Sequence, residues 1–345
     1  MSETLSLRRP DDWHLHLRDG AALSAVLPHT AQRFARAIVM PNLAPPVTTV
    51  AAAKAYRDRI LAALPTGLDF QPLMTLYLTD STPPEEIDRA VESGVVFGAK
   101  LYPAGATTNS QSGVTDIRRI DAVLERMAER GLTLQVHGEV TRPEIDVFDR
   151  EAVFLDTVLA PTVERFPALR VILEHVTTRA GADFVRTARN GVAATITPQH
   201  LMMNRNALFQ GGLRPHHYCL PVLKTEADRQ ALIDVVAAGN PRFFLGTDSA
   251  PHARHTKEHA CGCAGIYSAH AGIELYADVF EQHGFLDRLE EFASGFGADF
   301  YGLPRNTARI TLRREPWTPP PSYAFGEHEL IPYLAGQPIN WRLAA

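Results

Sequence analysis

Cysteine is scarce in this chain, with only Cys219, Cys261 and Cys263 among 345 residues. An odd, sparse count argues against a disulfide framework and fits a reducing compartment. Cys261 and Cys263 flank a single glycine, with no second cysteine pair or histidine at finger spacing. Structural zinc is therefore not expected there, and the spacing predicts a tight loop with small buried thiols. Long apolar runs are also missing. No stretch of about 18 apolar residues occurs, so no membrane-spanning helix is expected, and residues 1–9 carry no apolar signal core. Positive charge is not in excess: 34 Lys and Arg stand against 39 Asp and Glu, a net −5. That balance predicts no nucleic-acid surface. The expectation is a cytoplasmic protein that acts on a small molecule, with neither nucleic acid nor membrane as partner.

What is present is ordinary globular material, 45% hydrophobic and 21% charged, long enough to bury a large core. Short β-branched runs alternate with helical patterns. The runs are the segment around His14, Arg36–Met40, Leu73–Leu78, Val95–Tyr102, Leu132–His137, Leu169–His175, Val192–Thr197 and Phe243–Asp248. Helical spacing appears at 51–64, 84–93, 117–130, 148–166 with a break or a second start at Pro161, 180–189 and 225–238. More helix is expected near 270–283 and 286–293. Residues 201–224 read as a long irregular insertion, and the Pro-rich stretch 315–341 as irregular segments packing back. About eight strand–helix repeats predict an α/β fold, a parallel (β/α)8 TIM barrel. An open doubly wound sheet is the alternative, but no Gly-rich phosphate loop follows His16. Residues 1–345 read as one barrel domain with a C-terminal extension from about 304.

The centre of the chain's chemistry is Asp11-Asp12-Trp13-His14-Leu15-His16-Leu17-Arg18-Asp19. Alternate residues of a strand share a face, so His14 and His16 present two imidazoles side by side, a common pairing for zinc and similar metals. Alone, such a pair is as often a solvated alternating strand. Other strand ends carry Lys100, His137, His175 and Asp248, and in a barrel all these ends converge on the C-terminal face. Each could be innocent, His137 or His175 as a hydrogen-bonded core residue and Asp248 as a turn residue. Lys100 is harder to dismiss, because lysine is rarely buried without a partner. Four histidines, an aspartate and a buried lysine fit a two-metal hydrolytic site. Lys100 would bind metal only as a neutral amine or as a carbamate. Metals about 3.5–4 Å apart lower the pKa of a shared water and polarise a carbonyl, and Asp248 is placed to carry the proton.

These motifs, with Met40-Pro41-Asn42-Leu43, Ala99-Lys100-Leu101-Tyr102-Pro103, Val136-His137-Gly138-Glu139, Glu174-His175, Ile196-Thr197-Pro198-Gln199-His200 and Gly246-Thr247-Asp248-Ser249-Ala250-Pro251-His252, resemble the amidohydrolase superfamily. Within it they resemble the stand-alone bacterial-type dihydroorotases, over nearly the whole chain. The resemblance implies two zinc ions per subunit at the C-terminal face. One is held by His14, His16, Asp248 and carbamylated Lys100 (N6-carboxylysine), the other by the same carbamate with His137 and His175. It implies the reversible cyclisation of N-carbamoyl-L-aspartate to (S)-dihydroorotate and water, in pyrimidine synthesis, with Asp248 as the proton shuttle. Arg18, Asn42 and His252 would hold the substrate's free carboxylate, an arrangement an Arg fork and a His donor suit on physical grounds. His16, Leu220 and Ala264 would also touch substrate. Residues 104–113 resemble a mobile loop that brings Thr107 and Thr108 to the substrate, although composition alone favours a solvated surface loop. A homodimer is implied as well. His200 reads as packing and Cys219 as structural. A hydantoinase or dihydropyrimidinase is the nearest rival, but its uncharged ring would leave Arg18 without a partner. A noncatalytic scaffold is disfavoured because no ligand residue is missing.

Overall fold

The computed structural model describes residues 3–344. Its main sheet has eight parallel strands in sequence order. After an outer strand β1 (Thr4–Arg8) come β2 (Asp11–Leu15), β3 (Arg36–Val39), β4 (Gln71–Tyr77), β5 (Val96–Leu101), β6 (Thr133–Val136), β7 (Val171–Leu173), β8 (Val192–Ile196) and β9 (Phe243–Leu245). The sheet closes on itself just past these strands. Leu15 bridges Ser249 in parallel, Asp248 N donates to His14 O at 2.9 Å, and His16 N donates to Ser249 O at 3.1 Å. The result is the expected (β/α)8 barrel.

Two apolar layers hold it. The barrel interior packs Trp13, Ile38, Leu73, Ile172, Ala193 and Phe244, and Trp13 stacks on Tyr301 with ring centres 4.7 Å apart. The larger layer lies between the strands' outer faces and the surrounding helices. Register between β2 and β3 shifts between Asp12 and Leu15. Within that irregular stretch Trp13 enters the interior while His14 and His16 reach the barrel mouth.

Helix ends follow local chemistry. Thr225 caps Glu226–Ala237 in a reciprocal box with Asp228, an arrangement that contributes roughly 1 kcal/mol. Gly131 ends Asp121–Arg130 at φ 70°, a left-handed conformation that glycine adopts without steric cost. Of the break or second start expected at Pro161, the structure shows a second start, with Pro161 in the first turn of Ala160–Arg165. Leu155–Leu159 is π-helical and leads into Ala160–Arg165; the wider winding accommodates a proline that has no N–H to give.

Three expectations need correction. The helix Gly20–Arg33 joins β2 to β3 and was not anticipated; its alanines and Pro28 blur the stripe. The tail is broken by short strands, with irregular segments between them. β10 (Arg309–Trp317) pairs antiparallel with β1 and with β13 (Ile339–Leu343), and β11 (Tyr323–Phe325) pairs with β12 (His328–Leu330). Cys261 is exposed and Cys263 half-buried, so only Cys219 is a buried thiol. Insertion 201–224 holds only short helical turns, Arg205–Leu208 and Pro215–His217, after Pro198–Met202. Among the described residues no helix is long and apolar enough to cross a membrane.

Candidate metal centre

The ligand candidates converge as strand ends in a barrel must. Lys100 lies in β5 and His14 in β2, while His16, His137, His175 and Asp248 stand one to three residues beyond β2, β6, β7 and β9. The His14 and His16 rings are 5.4 Å apart, His14 and His175 5.0 Å, and His137 and His175 4.9 Å. The carboxylate of Asp248 lies 3.3 Å from His14 Nε2 and 3.1 Å from His16 Nε2. These three side chains, all buried, bring one donor atom each to a common point that could hold a metal ion.

Most ligand rings are aimed by a partner behind them. His14 Nδ1 donates to Glu174 Oε2 at 2.9 Å, leaving Nε2 to face Asp248. Thr195 Oγ1 donates to the same Glu174 oxygen and accepts from His175 N. His137 Nε2 pairs with Glu139 Oε2 at 2.7 Å, and His16 Nδ1 with Asn42 Oδ1 at 2.8 Å. Such outer partners fix a ligand's tautomer and orientation. Glu139 and Glu174 were given no role from sequence. The signal was available: an acid inside or beside an apolar strand end, next to a histidine, needs a buried partner.

Backbone strain concentrates here. Of five non-glycine residues at positive φ among those described, Arg18 (59°), His175 (41°) and Asp248 (45°) belong to the site. Such conformations persist where surrounding contacts enforce them, and they mark functional positions.

Lys100 is fully buried, and its Nζ has no hydrogen-bond partner; His175 Nδ1 is likewise buried without one. Burial lowers the Lys100 pKa to about 8, partly offset by the negative charges of Glu174 and Asp248. Burial lowers His16 to about 4 despite its bond to Asp248. Burial alone would raise Asp248, but the hydrogen bonds and charges of the facing histidines hold it well below the usual carboxylate range. The centre therefore combines imidazoles, of which burial pushes His16 and His175 down while at His14 burial is outweighed by Glu174 and Asp248, which bring it up, with an ionised carboxylate and an amine easily made neutral. That donor set fits a divalent metal, and the unpartnered amine fits conversion to a carbamate.

Above these groups lies a small cavity, lined also by Arg18, Asn42, Tyr102, Thr107, Thr108, Leu220, Ala264 and Gly265. Arg18 Nε donates to Pro251 O at 2.9 Å, and its Nη2 lies 2.9 Å from His252 Nε2. Asn42 is committed on both sides, to His16 through its oxygen and to Thr108 O through its amide at 3.0 Å. The 104–113 loop is folded over the cavity: Thr108 Oγ1 reaches Ala264 O at 3.5 Å, and Asn109 Nδ2 donates to Asn42 O at 3.0 Å. His200 stays outside, bonded to Thr197 Oγ1 and Pro221 O.

A family model described as the amidohydrolase family matches residues 12–317. A dihydroorotase of Laribacter hongkongensis is 66% identical over 99% of both chains. The crystal structure of a dihydroorotase from Campylobacter jejuni superposes with TM-score 0.92 at 33% identity, covering 100% of this chain and 98% of that one. A Saccharomyces cerevisiae dihydroorotase in complex with 5-fluoroorotic acid gives 0.91 at 31% identity, covering 99% and 98%.

Proposed function

Because the chain belongs to the amidohydrolase family, among its dihydroorotases, we propose that its barrel mouth opens and closes the ring of (S)-dihydroorotate through a carbamate-bridged zinc pair. The chain is a hydrolase of cyclic amides by that membership. The observation that carries the finer reading is the unpartnered, fully buried Lys100 amine beneath the His14–His16–Asp248 cluster.

In this reading His14, His16 and Asp248 would hold one zinc and His137 with His175 the other, and carbamylated Lys100 would serve as a ligand to both. When bound, the metals would polarise the amide carbonyl and acidify the attacking water. The protein supplies the rest. Glu174, Glu139 and Asn42 keep the imidazoles aimed. Asp248, held ionised by its neighbours, takes the proton from the attacking water and passes it to the departing ring nitrogen, so that one amide C–N bond breaks as one C–O bond forms. Arg18 and His252 meet the free carboxylate; an Arg fork without an acidic partner suits an anionic ligand. The bound 5-fluoroorotic acid of the yeast relative carries such a carboxylate, whereas a hydantoinase substrate has none and would leave Arg18 unused. Asn42 assists through His16 and the loop. Leu220 and Ala264 border the substrate, and Thr107 and Thr108 shut the cavity from water. The reaction belongs to pyrimidine synthesis. We place it in the cytoplasm and in a homodimer, the latter open to test by sedimentation.

The deciding measurement is the ultraviolet absorbance of dihydroorotate during incubation with the protein, with and without a chelator. Chelator-sensitive ring opening is expected. Ring opening that survives removal of all metal would sink the metal reading, and no ring opening by the metal-loaded protein would sink the substrate.

A further inference from the structure

Part of the cavity wall is bare loop, with Leu220 from one segment and Ala264 and Gly265 from another. Loop backbone keeps one position only when its polar groups find partners. Here both segments share Lys257, at the end of the short helix Arg254–Lys257 and only 4% exposed. Its Nζ donates to Tyr218 O at 3.0 Å, to Cys263 O at 3.0 Å and to Gly265 O. An ammonium has three donors, and all three are used. Gly265 N donates to Tyr218 O as well, at 3.0 Å, so the two loops are tied twice. Every partner is a carbonyl. Burying an ammonium against carbonyls alone is costly, and holding two surface loops does not by itself explain such a choice.

What the knot encloses does explain it. Lys257 grips the carbonyls on both sides of Ala264. The Ala264 carbonyl is left to face the cavity, where it lies 2.9 Å from His252 Nε2 and accepts from Thr108 Oγ1 at 3.5 Å. Gly265 sits at φ 148°, and a side chain there would meet Ala250 O at 2.8 Å. Glycine is therefore required where the wall passes Ala250, and the wall cannot shift away from Lys257 without losing its bonds. His252 and the hydroxyl of Thr108 both meet this one peptide.

Resting on the reading above, we propose that Lys257 is a positioning residue for substrate binding. By holding Tyr218, Cys263 and Gly265 together it sets the Ala264 carbonyl on which His252 and Thr108 depend, without touching the substrate or the metal ligands. Its loss loosens the grip on substrate and leaves the metal centre intact.

The test compares native protein with Lys257→Met on dihydroorotate, measuring KM, kcat and bound metal by elemental analysis on the same preparations. Turnover by the native protein examines the underlying functional reading; the ratio of variant to native examines Lys257. A KM raised about tenfold or more, with kcat within about threefold and native metal content, is expected, since small displacements of binding groups carry costs of this order. A role in stability alone would lower yield or melting temperature and leave KM where it was; an unchanged KM overturns the proposal. So does a KM that rises only together with metal loss. Should Lys257→Met not fold, Lys257→Gln, which keeps a two-hydrogen donor, is judged by the same split.

Discussion

Lys100 and Lys257 are both sunk in the protein, and burial brings both amines to about 8. Their surroundings differ completely. Lys257 spends every donor on a carbonyl, whereas Lys100 Nζ has no partner. One lysine is finished by the folded chain and the other is left for chemistry. The same contrast separates the arginines. Arg33 and Arg36 are buried against Glu274 and Asp11 in two-pronged ion pairs, while Arg18 meets only a carbonyl and an imidazole at the cavity. Burial alone therefore does not mark a functional cation. Burial with no acidic partner and donors left over is what sets Lys100 and Arg18 apart.

The harshest challenge to this contrast is Lys100→Ala. Turnover should fall to background, and a short carboxylic acid should restore part of it by taking the carbamate's place. Full activity without rescue would show that Lys100 is as complete as Lys257. Next in size, Arg18→Met should raise KM for dihydroorotate by about 10- to 100-fold, the range for a lost charge-assisted hydrogen bond, with kcat less affected; a native KM would mean the open guanidinium meets no carboxylate. Glu174→Gln sharpens the picture from the other side. It removes a negative charge near Lys100 and replaces the charged acceptor behind His14 with a weaker amide oxygen, so metal affinity, read by chelator competition, should drop about 10- to 100-fold. Undiminished affinity would make Glu174 mere packing. The smallest effect belongs to Thr107→Ala and Thr108→Ala. Each should lower kcat by about two- to tenfold, as for a single neutral hydrogen bond, with metal still bound, and unaltered turnover would reduce the loop to a surface feature.

The barrel strands were legible because both their faces are buried, which leaves apolar β-branched runs such as Arg36–Val39 and Val192–Ile196 with helices between. The ligand set was legible for a related reason. One charged or ligating side chain at the end of such a run can be innocent, but Lys100, His137, His175 and Asp248 at converging ends are not readily explained one by one. The tail was not legible. β10 buries only Leu312 fully along nine residues, so the alternation that announces a strand is missing, and the prolines around it point to coil. Glu174 and Glu139 were visible as residues but not as partners, because their use depends on which imidazole nitrogen faces them across the barrel. Lys257 was silent for the same reason. Three carbonyls from two loops leave no trace in sequence, since every residue has one.

The outer sheet of β1, β10 and β13 carries a consequence for stability. β1 leads by way of Arg9 and Pro10 into β2, which holds His14 and is followed at once by His16, and its hydrogen-bonding partner is Arg309–Trp317. Damage to that distant strand therefore reaches the barrel mouth through the backbone alone, with no side chain of the cavity altered.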